Sequence, residues 1–134
     1  MMQALLPTLR YPRAWLFAGL LIATAITVAS LVPARDLPPL GVSDKVEHAV
    51  AYLLLAFWFA SVMTRRDYVY LIFALLAFGG GIEIAQGLMG LGREADLLDL
   101  AADGAGILAG VLLAATPLGR WARLIEDFVA RRIA

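Results

Sequence analysis

The sequence predicts an all-α fold: an integral membrane bundle of four transmembrane helices, with a C-terminal amphipathic helix at the membrane interface. Three observations carry this prediction. The chain has 134 residues, of which 62% are hydrophobic, against roughly 45–50% in a soluble domain. Its mean hydropathy is +0.83, and so short a chain has too little interior to hide that excess from water. Four apolar stretches each approach the roughly 20 residues that a helix needs to cross a bilayer core. Helices are the economical choice for such spans, because lipid cannot satisfy exposed backbone groups.

The first stretch covers 14–32 and carries no charge; Pro33, Arg35, Asp36, Pro38 and Pro39 end it. Arg10 and Arg13 before it resemble the start of a signal peptide, but the run exceeds the usual 7–15-residue apolar region of such peptides, so a retained anchor is expected. The second covers 46–63 and has Glu47 and His48 near its start. Thr64, Arg65, Arg66 and Asp67 form a charged turn before the third, 68–91, whose single internal charge is Glu83. The fourth covers 97–116, with Asp99 and Asp103 near its start, and Pro117 and Gly119 close it. In the tail, 119–134, Trp121, Leu124, Ile125, Phe128 and Val129 recur at helical spacing, and Arg120, Arg123, Asp127 and Arg131 take the other side. That pattern suits a helix lying on a membrane surface. The whole chain reads as one domain.

Basic residues set the expected orientation. Eight of the 11 lie on the side of both termini and three, Arg35, Lys45 and Arg93, on the other. Both termini are therefore expected in the cytoplasm of a cell whose inner membrane the chain spans several times. Zero formal net charge gives no reason to expect nucleic acid as a partner. The chain has no Cys, which excludes disulfides and thiolate chemistry.

This orientation sends polar residues from three helices to one membrane face. Asp44, His48 and Tyr52 recur every four residues and share a helix face. Gly79, Glu83, Gln86 and Gly90 form a second stripe, and Asp99, Asp103, Gly106 and Gly110 a third. Small residues let membrane helices approach closely. Residues at helix ends, such as Asp36, Asp44, Lys45, Glu47, Glu94 and Asp96, are accounted for by headgroup anchoring alone. Glu83 and Asp103 lie deeper, where a carboxylate is costly and marks a functional site by default.

The stretch Asp44-Lys45-Val46-Glu47-His48-Ala49-Val50-Ala51-Tyr52 resembles the D-K-x-x-H-x-x-A-Y signature of VanZ-like membrane proteins. Glu83-Ile84-Ala85-Gln86 resembles the family's E-x-x-Q. Arg93 followed six positions on by Asp99 resembles the family's R…D pair, and Gly106 and Gly110 its closing glycines. The likeness covers about residues 40 to 112, most of the chain. One departure stands out: Asp103 occupies a position where the family usually has Asn. The resemblance implies a bacterial cytoplasmic-membrane protein. The family's name, taken from teicoplanin resistance, implies a role in the cell envelope.

Two functions follow as expectations. In the first, Asp44, Lys45, His48, Tyr52, Glu83, Gln86, Arg93, Asp99 and Asp103 bind a lipid headgroup, an envelope precursor or a glycopeptide-like ligand, with Arg93 and Lys45 on its anionic groups. Membrane lipids, such a precursor or another membrane protein are then the partners. In the second, the protein is an enzyme on a lipid-linked substrate, with His48 and Glu83 as acid and base. A metal version of the enzyme would draw on His48, Glu83, Asp99 and Asp103. No contiguous metal motif is present, and the sequence leads us to expect no metal or cofactor. Transport is the weakest expectation, since the inner halves of the helices are apolar.

Overall fold

The computed structural model describes residues 9–33, 41–89 and 96–133. Among these it holds five α-helices: α1 (Pro12–Leu31), α2 (Asp44–Val62), α3 (Tyr68–Met89), α4 (Leu97–Ala114) and α5 (Trp121–Ile133). The first four are long and apolar enough to cross a membrane. Helix ends differ from the sequence expectation by a turn or less, for local reasons. Pro12 at the first position lets α1 begin before the apolar run does. Asp44 and Glu47 suit the positive end of a helix dipole, so α2 starts ahead of its apolar stretch. Asp96 caps α4 by accepting from the Leu98 N–H. Pro117 opens a short 3-10 turn, Pro117–Arg120, which separates α4 from α5.

The core of the bundle is the pairing of α2 with α4, the most extensive helix contact in the chain. The two run parallel: Gly106 lies against Ala49, and one turn on Gly110 lies against Leu53. A Cβ at either glycine would overlap the backbone of α2. The small residues therefore bring the two helix backbones into direct contact, as the glycine stripe on α4 predicts. Tyr52, Leu55, Ala56, Phe59, Ile107 and Val111 fill the seam. Helix α3 runs antiparallel beside this pair, with Gly79 against Tyr52 and Asp103, and Gly104 against Leu76. Helix α1 is peripheral and touches α2 through Gly19, which faces Trp58 and Phe59. Outward positions along the spans are large and apolar, including Phe17, Phe73, Ile84 and Leu112. A bundle apolar on its outside with acids in its interior matches a lipid environment.

The end of the bundle that holds the start of α1 is closed by three tryptophans. Trp15, Trp58 and Trp121 come from α1, α2 and α5, with ring centroids 4.8–5.8 Å apart. Trp58 Nε1 donates to the Trp15 carbonyl at 3.0 Å. Helix α5 turns Ala122 and Glu126 toward the bundle, while Leu124, Ile125, Phe128 and Val129 are exposed. Glu126 accepts three hydrogen bonds from the start of α1: the Arg10 N–H at 2.6 Å, the Tyr11 N–H at 2.9 Å and Trp15 Nε1–H at 2.8 Å. Burial pushes the Glu126 carboxyl up, but these donors and the Arg10 charge outweigh it and hold it below its ordinary range. A groove of about 590 Å³ runs between α1 and α5, with Ala14, Ala18, Ile125 and Val129 in its walls. It is mostly apolar and lies at the opposite end from the polar cluster.

Candidate functional site

The other end of the bundle gathers the polar side chains. Three elements position them. The first two turns of α2 supply Asp44, Lys45, His48 and, one turn deeper, Tyr52. The last turns of α3 supply Glu83 and Gln86. The cap and first turns of α4 supply Asp96, Asp99 and Asp103. Because α2 and α4 are parallel and in close contact, their i, i+4 pairs, Asp44/His48 and Asp99/Asp103, come side by side.

At the centre stands His48, the only histidine in the chain. Its Nδ1 lies 2.9 Å from Asp103 Oδ1, both groups being buried. Where Nδ1 carries the proton, it donates to this carboxylate, and a neutral ring then keeps its lone pair on Nε2. Asp103 is 0% exposed. Glu83 Oε1 stands 3.9 Å from the same nitrogen, beyond hydrogen-bond reach. The hydrogen-bond partner of His48 is therefore Asp103, and Glu83, its acid/base partner in the enzyme expectation, stands next to it. Glu83 Oε2 instead accepts from the Asp96 backbone N–H at 2.9 Å, joining the end of α3 to the start of α4.

Lys45 is already engaged. Its ammonium donates to Asp96 Oδ2 at 2.7 Å and to Asp99 Oδ1 at 2.9 Å. Together with the Leu98 N–H, that ammonium holds the Asp96 carboxyl below its ordinary range. A lysine bridging two carboxylates is a tie between α2 and α4 before it is an anion receptor. Gln86 reaches the other way: its Nε2 donates to the Ser30 carbonyl at 2.8 Å and binds α3 to α1. Helix α1 thus supplies a backbone contact at the margin of the cluster.

Three buried polar atoms of the cluster have no hydrogen-bond partner among the described residues: Tyr52 Oη, Glu83 Oε1 and Asp103 Oδ2. Asp103 Oδ2 and Tyr52 Oη both face Gly79, where a Cβ would lie 2.5 Å from the first and 3.1 Å from the second. A side chain at position 79 would fill the space these atoms share. Charge is also unbalanced here. Asp44, Glu47, Glu83, Asp96, Asp99 and Asp103 gather with Lys45 and His48 as the basic groups among the described residues. Such a site attracts cations and hydrogen-bond donors and repels bare anions.

Of the residues expected from sequence, Asp44, Lys45, His48, Tyr52, Glu83, Gln86, Asp99 and Asp103 fall at this end of the bundle. Arg93 lies outside the described residues, as do Gly90 and Glu94. Asp96, read from sequence as a headgroup anchor, proves to be a hub that holds Lys45, Glu83 and the cap of α4. Its position immediately before a helical run was the available signal. Comparison with family models, with curated proteins and with solved structures gives no match for this chain.

Proposed function

We propose that this chain is a VanZ-like protein of the bacterial inner membrane, with both termini in the cytoplasm, and that its polar cluster binds a headgroup at the extracytoplasmic face. The ligand is a lipid, a membrane-anchored envelope precursor or a glycopeptide-like molecule. The eight-to-three distribution of basic residues supports the orientation. The signature around His48 supports the family.

The observation that carries the binding role is the set of buried, unpartnered atoms on Tyr52, Glu83 and Asp103. Leaving such groups unpaired costs about 1–3 kcal/mol each, and a ligand that supplies donors removes that cost. Two of the three atoms are carboxylate oxygens within an acid-rich cluster, so the headgroup presents ammonium or hydroxyl groups to it. Lys45 and Arg93 were the expected anion contacts, yet Lys45 is neutralised by Asp96 and Asp99. Binding of short-chain lipids to the purified protein in detergent tests this. Primary-amine headgroups should bind several-fold tighter than trimethylammonium ones, which have no N–H to donate, and Glu83→Gln should erase the difference. Equal binding of both, unchanged by that substitution, would remove the reading.

A second reading has a specific observation in its favour. Asp103 meets His48 at Nδ1, and a ring that donates there presents Nε2 as a base of the kind used in hydrolytic enzymes. On that reading His48 takes a proton from the attacking group on a lipid-linked substrate, and Asp103 stabilises the imidazolium. Turnover of lipid-linked substrates by the wild type, lost in His48→Gln with lipid binding retained, would select it over binding alone.

A further inference from the structure

We infer that the outer rim of the cluster is a site for a divalent transition-metal ion of the zinc class, held by Asp44, His48 and Asp99; this rests on the reading of the cluster as a binding site. One carboxylate oxygen from each Asp and a ring nitrogen of His48 lie within 4.8 Å of one another. Ligands of a tetrahedral ion with bonds of about 2.0–2.1 Å stand within that limit of one another. Asp44 sits exposed in the first turn of α2.

The surroundings of His48 match those of a metal ligand. Metal-bound imidazoles donate their second ring N–H to a carboxylate, which fixes the tautomer and raises the basicity of the ligating nitrogen. Asp103 Oδ1 stands 2.9 Å from Nδ1, and a ring that donates there offers Nε2 to the ion. An independent observation points the same way. Glu83 is 6% exposed, and its unpartnered Oε1 is directed at the imidazole from 3.9 Å. A buried carboxylate with one oxygen unpartnered beside the ring is stabilised by positive charge brought to the ring. Lys45 occupies only Oδ1 of Asp99, and a carboxylate can bridge an ammonium and a metal through its two oxygens. A nitrogen ligand with carboxylates favours zinc or manganese over calcium or magnesium.

The ion has a consequence for the ligand. An acid-rich cluster repels phosphate, whereas three protein ligands on a four-coordinate ion leave one position for a phosphate or carboxylate oxygen. Through the ion the same site accepts both the donor groups and the phosphate of a headgroup.

The test uses the full chain in detergent micelles, stripped with chelator and without added lipid. Zinc ion alone is titrated calorimetrically, and bound metal is counted by elemental analysis after desalting. One zinc per chain is expected, with affinity reduced at least tenfold in Asp44→Asn and in His48→Gln. Affinity should be unchanged in Asp67→Asn at the opposite end. Asp44→Asn removes an exposed group and keeps the test valid where His48→Gln fails to fold. Substoichiometric zinc, or equal affinity in Asp44→Asn and wild type, overturns the metal site. Amine-headgroup binding that persists in chelator then shows that the headgroup reading survives it.

Discussion

Replacing Gly106 with Ala tests the α2–α4 seam on which the cluster is mounted. The added methyl would stand 3.0 Å from the Leu53 backbone nitrogen and closer still to the Ala49 carbonyl oxygen. Ordinary non-bonded contacts to carbon want about 3.5 Å. Both obstacles are backbone, so no side chain can rotate away and the helices must part. Overpacking of this kind costs about 1–3 kcal/mol, and two backbone overlaps place Gly106→Ala at the upper end. Alanine returns about 1 kcal/mol of helix propensity, leaving a net loss of about 2 kcal/mol. Gly104→Ala is the internal control. Its methyl would meet only Leu76 Cδ2, at 3.5 Å, so it should be neutral or slightly stabilising. Reversible unfolding in mixed micelles, followed by tryptophan fluorescence, measures both. If Gly106→Ala is no less stable than Gly104→Ala, the close approach of α2 and α4 is not what holds the bundle.

Three further outcomes are expected. Asp103→Asn keeps an acceptor for the His48 Nδ1–H and should lose less than about 1 kcal/mol, whereas Asp103→Ala strands that buried donor and should cost about 1–3 kcal/mol more; the same unfolding assay separates them. Gln86→Leu removes the tie to the Ser30 carbonyl, and since intramembrane hydrogen bonds average about 0.6 kcal/mol, only a small loss is expected, read from proteolysis of α1. Glu126 gives a pH dependence: its folded carboxyl is held below the ordinary value of 4.5, so its contribution is complete above that value and fades as pH falls through the lower folded value. Wild-type Trp15 and Trp121 fluorescence should therefore stay constant from pH 7 to 5 and change in more acid solution. In Glu126→Gln that acid transition should be missing.

The spans and the polar stripes were legible because both obey simple spacing. Four apolar runs of bilayer length announce helices, and the i, i+4 recurrence of Asp44, His48 and Tyr52, or the spacing by three and four of Asp99, Asp103, Gly106 and Gly110, places side chains on one face. What spacing does not carry is which stripe faces which. The choice of Asp103 over Glu83 as the partner of His48 depends on α2 and α4 being parallel and nearer to each other than either is to α3. The tie from Lys45 to Asp96 and Asp99 depends on the same packing. Glu126 was missed for a different reason. A helix with Leu124, Ile125, Phe128 and Val129 on one side reads as turning its charges to water. Yet α5 presents a carboxylate to the free N–H groups at the start of α1, a pairing made across more than a hundred residues.

Because His48 is the only histidine, labelling histidine with ¹⁵N yields the ring signals of this one site. The Nδ1–H tautomer is expected in the protein in micelles, with a saturable change in the ring shifts as a primary-amine lipid is added, absent in Glu83→Gln. Ring shifts that stay constant at lipid concentrations saturating the rest of the protein would contradict the central claim that the cluster around His48 is where this protein takes its ligand.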